Sequence, residues 1–506
     1  ALLYLSAAPE LGLSSPTIAG YGGIILFVIL NILVVLLCFD RFMIGMGSIF
    51  MLQMDANSLI SMANILSIAD GIVLLISKND MLPMNAVCSL ALVISLIGEY
   101  KRRRALMLTF KTASAVSDPY VVTSENSHYC GKPALIKSET GTVGAVPAAL
   151  SRDGTTNSML ILAPILLFIC PVLAILSAAV GKAEGDFLHR WSILAAVSLP
   201  VSAALAYCMP YARLAKKLSR SGSAIMGYRG AKLIAKRNCV VITDKDVFPA
   251  GFVTLNGMKL MGGRPSEKVI SATAILIRAS GSNLSRIFTD LMNEHMGIDR
   301  KLEEFEFMEG GFGGIVGGEY VMCGTAKFMH ERGVVLPEGM KVKNAVFTAF
   351  GTDLAGVFAL NYTASPTVAT SLNRMIYSGC IPLLISADFN VTPQLIASKF
   401  KLREDDIEAH KPQDIYTEPE IFGTPAAVVC REGLSPLGDT VAAGRRLAKA
   451  VRLNTLFSII SSLLGCFLCF WLMALGAQNT LTCGKIVVYV LAWMVPVLLV
   501  SGNSNL

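Results

Sequence analysis

The chain has 506 residues, of which 53% are hydrophobic and 16% charged, with a mean hydropathy of +0.59. Soluble domains carry about 25% charged residues, so a string of soluble domains is excluded, and so apolar a chain is neither disordered nor fibrous. Forty-three Lys and Arg against 36 Asp and Glu leave +7, a balance whose meaning depends on where the charges sit.

Twelve cysteines are irregularly spaced, and Cys38, Cys88, Cys170, Cys208, Cys466 and Cys469 fall inside apolar runs. Reduced, scattered thiols are expected, not a disulfide framework. Residues 2–8 read as the tail of a helix. No basic stretch precedes a cleavage-like site near the start, so no signal peptide is expected.

Apolar stretches of the length that crosses a bilayer, about 20 residues, fall at 22–38, 59–77, 82–100, 158–180, 190–211, 454–477 and 483–501. Polar blocks at 101–157 and 212–453 separate them. Lys101 and Arg102 to Arg104 follow the third span, Arg213, Lys216, Lys217 and Arg220 follow the fifth, and Arg445, Arg446, Lys449 and Arg452 precede the sixth. With alternating spans, all three clusters lie on one side, and Lys/Arg excess marks the cytosol. Topology thus accounts for the positive balance. The expected partner is the lipid bilayer, and no nucleic acid is expected.

In the large block, short β-rich runs at 239–243, 345–350, 357–361 and 381–386 alternate with helical patterns at 367–377 and 392–399. This alternation predicts a mainly parallel sheet. Functional groups of such sheets gather at the carboxyl ends of the strands. Asp244 and Asp388 stand there.

Several segments, in order, resemble the heavy-metal-transporting branch of the P-type ATPases. Met54-Asp-Ala-Asn-Ser-Leu59 is similar to that branch's approach to its first core helix, and Leu96-Ile-Gly-Glu-Tyr100 to the end of its second. Leu199-Pro200-Val201 stands where the family has Cys-Pro-Cys. Val240-Val-Ile-Thr-Asp-Lys-Asp-Val247 resembles the phosphorylation motif, Ser280-Gly-Ser-Asn-Leu284 the S-x-H-P-L of the nucleotide domain, and Gly311-Phe-Gly-Gly314 its Gly-rich segment. Cys323-Gly-Thr-Ala-Lys-Phe-Met329 is similar to the strand that follows, Ile385-Ser-Ala-Asp388 to T-G-D, and Asn454 to the Asn opening the next membrane helix.

The resemblance implies a polytopic α-helical membrane protein with a cytosolic α/β, haloacid-dehalogenase-like phosphorylation domain and an inserted nucleotide-domain-like module, set in a bacterial plasma membrane. It divides the chain into 1–100 (three spans), 101–157 (a reduced actuator-like segment), 158–211 (two spans), 212–258 and 345–453 (phosphorylation domain), 259–344 (nucleotide-binding-like domain) and 454–506 (two spans). It implies Mg²⁺ and ATP as cofactors and a transition-metal cation as cargo. It also implies a catalytic set of Asp244, Lys245, Asp246, Ser386 and Asp388, with Ser282, Asn283, Gly311, Gly313 and Gly324 toward the nucleotide. Leu199, Pro200 and Val201 form the kink of the ion path.

Departures from the family pattern matter as much. Asp246 replaces a Thr, Tyr362-Thr-Ala-Ser365 replaces D-x-x-K, no G-D-G-x-N-D follows Asp388, and the 101–157 block has no T-G-E. Leu199 and Val201 cannot coordinate a metal. Cys466 and Cys469 share a helix face and are the candidate soft-metal ligands, while packing as small hydrophobes is the plainer role of buried cysteines. Asp70, with Asn64 and Ser67, forms a polar seam or lies near the outer interface.

Three functions compete. A pseudo-pump keeps the architecture for regulation or for binding a protein partner. An active pump phosphorylates Asp244 from ATP and moves a transition-metal cation. A membrane-tethered phosphatase uses Asp244 as nucleophile and Asp246, two residues on, as general acid/base.

Overall fold

A computed structural model describes residues 2–7, 10, 21–77, 81–125, 133–139, 144–180, 187–337, 342–410 and 424–502. Among them, four helices are long and apolar enough to cross a bilayer: Ala56–Ile76, Gly154–Val180, Leu434–Ala474 and Cys483–Gly502. A fifth crossing is made if Tyr21–Leu37 and Phe39–Phe50, bent by 84°, count as one. The seven expected spans are therefore not seven uniform helices.

The stretch at 82–100 opens the helix Asn85–Ala113, which runs on into Lys101 to Arg104, so its uninterrupted apolar length is short for a bilayer core. The stretch at 190–211 is broken. Phe187–Val197 stops, Leu199, Pro200 and Val201 form a turn, and the chain resumes as Ala203–Ala206 and Cys208–Ser221. Pro200 has no N–H to continue the ladder, which is why the helix stops there. By contrast Ala56–Ile76 starts cleanly. The Asp55 carboxylate accepts the N–H groups of Asn57 and Ser58 at 2.9 and 3.1 Å and closes a capping box with Ser58.

Outside the membrane helices the strands are, in chain order, β1 (Tyr120–Glu125), β2 (Ala134–Ser138), β3 (Ser223–Ile225), β4 (Cys239–Thr243), β5 (Val253–Leu260), β6 (Leu302–Met308) and β7 (Gly311–Val316). They continue as β8 (Glu319–Gly324), β9 (Ala345–Phe350), β10 (Asp353–Tyr362), β11 (Ile381–Ile385), β12 (Glu408–His410) and β13 (Ala427–Val429). One sheet has the order β12-β11-β4-β2-β1-β13-β3 and the other β5-β10-β9-β8-β7-β6.

The first sheet is parallel over β12, β11, β4 and β2 and antiparallel from β2 through β1 and β13 to β3. The mainly parallel expectation therefore holds for one half of it. The β1–β2 hairpin, from the 101–157 block, is part of the sheet that carries Asp244, with Ala134 and Leu135 opposite Cys239 and Val240. A two-stranded hairpin is marginal alone. Here Val122, Leu135 and Val240 are fully buried in one core, and that burial holds the hairpin in the sheet.

The second sheet is antiparallel throughout. The runs at 345–350 and 357–361, expected in the parallel sheet, lie here as β9 and part of β10, alongside the strands of 259–344. Only Gly351 and Thr352 join them, with Gly351 at φ +59°. So short a connection makes a hairpin, because a parallel pair needs a crossover of about a dozen residues or more.

Candidate functional site

The carboxyl ends of β4 and β11 lie side by side, Thr243 opposite Ile385, and this register brings Asp244 and Asp388 together. Asp244 is 3% exposed and Asp388 1%. Asp244 accepts the backbone N–H of Asn283 at 2.7 Å through Oδ2 and also the N–H of Ala387. Asp388 accepts the Tyr362 hydroxyl at 2.6 Å through Oδ2 and the Asn390 N–H at 3.0 Å through Oδ1. Burial raises the pKa of Asp244 despite these donors. For Asp388, burial and the nearby Asp244 charge push the value up to about 7, and burial with the Asp388 charge holds the Tyr362 phenol well above its ordinary range.

Ser386 belongs to the turn itself. Its hydroxyl donates to the Asp388 carbonyl at 2.8 Å and accepts the Asp388 N–H at 3.1 Å. Asp246 is also engaged. Its Oδ2 accepts the Thr243 hydroxyl and N–H at 3.0 and 3.2 Å, closing a short capping box, and its Oδ1 is ion-paired with Lys137 of β2.

The remaining expected residues part company around this centre. Lys245, Asp246, Ser282 and Asn283 line a cavity of about 710 Å³ together with Lys137 and Glu139. Ser386, Asp388 and Gly311 line a second, of about 520 Å³, rimmed by Phe307, Phe312 and Phe389. Asp244 lines neither cavity.

The glycines have packing reasons. A Cβ at Gly311 would stand 2.4 Å from the Cys323 carbonyl, at Gly313 2.7 Å from the Tyr320 hydroxyl, and at Gly324 2.3 Å from the Phe328 ring. At Gly311 and Gly324 the neighbours include backbone carbonyls, so sheet packing accounts for glycine there, whereas at Gly313 the nearest atom is the end of the Tyr320 side chain.

Mg²⁺ takes one or two carboxylates together with waters and substrate phosphates; the Asp244 and Asp388 carboxylates lie at neighbouring strand ends, and each already accepts N–H or O–H donors. Among the described residues no three His, Cys, Asp or Glu groups come together as a metal site.

In the membrane half, Leu199 and Val201 are 2% and 1% exposed and serve as packing. Cys466 and Cys469 are buried on the helix Leu434–Ala474, and the Cys170 thiol, from the helix Gly154–Val180, lies 3.6 Å from the Ser198 hydroxyl. Asp70 is hydrogen-bonded to His189, its Oδ2 2.9 Å from the imidazole Nδ1, with both residues buried. Ser67 reaches Asn85 instead, and Asn64 donates to the Ile60 carbonyl at 2.7 Å.

Two participants were not foreseen from the sequence: Tyr362 holds Asp388, and Lys137 ties the hairpin to Asp246. Asn283, expected toward the nucleotide, caps Asp244 with its backbone N–H. The alternation of β2 puts Lys137 on a definite face, but nothing local signals a contact across 109 positions.

No family model matches the chain, and neither does any curated protein. Solved structures do. The chain is similar to a zinc-transporting PIB-type ATPase in its E2·Pi state, with a TM-score of 0.51 at 12% identity, over 96% of this chain and 95% of that one. It is also similar to another solved structure of a zinc-transporting PIB-type ATPase, with a TM-score of 0.44 at 12% identity, over 91% of this chain and 95% of that one. At such identity the first likeness shows the fold: an integral membrane protein with the architecture of a P-type ATPase.

Proposed function

We propose that this chain is a pseudo-pump of the heavy-metal P-type ATPase branch. It keeps the membrane bundle, a haloacid-dehalogenase-like sheet and a nucleotide-domain-like module for a regulatory or binding role, without an ATP-driven cycle. The observation that carries this reading is the parallel pairing of β2 with β4. Alternating access works by moving one body against another, and a hairpin hydrogen-bonded into the sheet of Asp244 cannot swing relative to it. The Lys137–Asp246 ion pair fixes the same contact. The buried Asp244 carboxylate, facing two backbone N–H groups, is in keeping with a nucleophile out of use.

The phosphatase alternative requires Asp246 to exchange a proton with substrate. Both of its oxygens are held, by Thr243 and by Lys137, which speaks against it. The active-pump alternative requires Mg²⁺ and ATP at Asp244, a carboxylate that is buried and lines neither of the two cavities.

The test is phosphorylation of the purified full chain with radiolabelled ATP and Mg²⁺, in the presence of Cu⁺, Zn²⁺, Cd²⁺ or Co²⁺ in turn. The expected result is no acid-stable label above that of the Asp244→Asn variant. Label that needs one of the metals and disappears in Asp244→Asn restores the active pump.

A further inference from the structure

We propose that Arg41, Arg102 and Arg103 hold the phosphate of one anionic phospholipid in a cavity at the end of the membrane bundle. Arg41 belongs to the helix Phe39–Phe50, and Arg102 and Arg103 to the helix Asn85–Ala113. All three converge on a single carboxylate, that of Glu99, at 3.3, 4.0 and 2.9 Å. Three guanidiniums against one carboxylate leave two positive charges. A guanidinium also carries more N–H donors than a carboxylate shared three ways can take.

These side chains form one wall of a cavity of about 350 Å³. The Arg41 and Glu99 side chains are only 11% and 21% exposed, so salt screens them less than a surface cluster. Asp55 and Asp153 line the cavity too, but each is used at the start of a helix. Asp55 accepts the N–H groups of Asn57 and Ser58, and Asp153 that of Thr156 at 2.9 Å. There the positive end of the helix dipole offsets part of a carboxylate's charge. The excess on the arginine wall therefore stays positive.

Chemistry and position together select the ligand. The fork of a guanidinium matches two oxygens of a phosphate. The arginines stand where the apolar run 82–100 gives way to Lys101, Arg102, Arg103 and Arg104, and the Lys/Arg bias places this end on the cytosolic side. Basic pockets between membrane helices at that level receive lipid head groups. Ile44 lines the cavity and is itself exposed, and Phe50, Met51 and Leu52 continue the exposed apolar surface. Acyl chains can lie along such a surface, whereas a free phosphate ion gains nothing from it. The cavity is near the small end of the range for ligand pockets, about 300–1,000 Å³, which suits a head group whose chains stay outside. Binding here stands independently of whether Asp244 is ever phosphorylated.

The test uses the full chain in detergent, stripped of lipid and titrated with phosphatidylglycerol, phosphatidylcholine and inorganic phosphate, with bound lipid counted by native mass spectrometry. Wild type is expected to hold one phosphatidylglycerol per chain more tightly than phosphatidylcholine, and inorganic phosphate is expected not to displace it. Arg41→Gln and Arg102→Gln should each weaken that lipid by about fivefold or more. Arg104→Gln, on the same helix but outside the cavity, should leave it unchanged. Equal affinity for the two lipids, or an equal loss in Arg104→Gln, reduces the effect to diffuse attraction and overturns the site. Displacement by inorganic phosphate assigns the arginines to the free ion and overturns the lipid. Because an arginine variant can disturb the bundle, a phosphatidylglycerol carrying a photoreactive head group gives a second reading on unmodified protein. Cross-links within Phe39–Phe50 or Asn85–Ala113 support the proposal, and cross-links confined to other helices overturn it.

Discussion

The carboxyl end of β4 and the break at Ser198–Ser202 differ in opposite ways from the motifs they resemble. At β4 the charged groups survive: Asp244, Lys245, Asp246 and Asp388 are all present. Their carboxylates are engaged, Asp244 by backbone N–H groups, Asp388 by Tyr362 and Asp246 by Lys137 of β2. At the break the backbone survives, with Pro200 still interrupting the helix, while Leu199 and Val201 have no donor atoms. The difference teaches that the contacts around a motif bear on its use as much as the motif residues themselves.

The largest test of this contrast lies in the hairpin. Leu135→Ala removes a fully buried side chain of β2 and should destabilise the sheet by about 2–5 kcal/mol, read by thermal or denaturant unfolding. Limited proteolysis should then cut the chain near Asp244 as well as near β2. Cleavage confined to 133–139 would mean that the hairpin is an independent body after all, and the closed picture of β4 would fail.

Next in size is Asp388. Its folded pKa of about 7 lies above the ordinary carboxylate value, so the folded state binds more protons than the unfolded one between about pH 4 and pH 7. Stability from this group is full below that window and is lost as pH rises through 7, by a few kcal/mol. Asp388→Asn cannot ionise. It is therefore expected to raise the melting temperature at pH 8 more than at pH 5. An equal shift at both pH values would show that the carboxylate is not strained by burial.

The smaller effect is expected at the membrane break. A Cβ at Gly98 would meet the Ala204 carbonyl at 2.4 Å, so Gly98→Ala should push the helix Asn85–Ala113 off the resumed span at a cost of about 1–3 kcal/mol. Thermal unfolding in detergent measures it. No loss would mean that the two helices are free to separate, and that the break is looser than the sheet.

How much of this was legible in the sequence follows from the range of the forces involved. The apolar, β-branched run 239–243 marks a strand by itself, and Asp244 at its end needs no partner to be noticed. Gly317 and Gly318, both at positive φ, show a turn because a tight hairpin demands that conformation. The parallel-sheet expectation for 345–361 failed because hydrophobic period identifies strands but not the direction of their neighbours. Tyr362 registers in the sequence only as a lost charge. Its hydroxyl on Asp388 depends on β10 ending beside the loop after β11.

By itself the sequence determined the membrane character, the order of apolar and polar blocks, the positions of β4 and β11, and the loss of donors at 199 and 201. These follow from composition, period and side-chain chemistry, which act within a few residues. Only the tertiary structure decided that β2 lies against β4, that Lys137 engages Asp246, and that Asn283 covers Asp244. Each of these joins residues far apart in the chain, and it is the packing of whole elements that selects which distant groups meet.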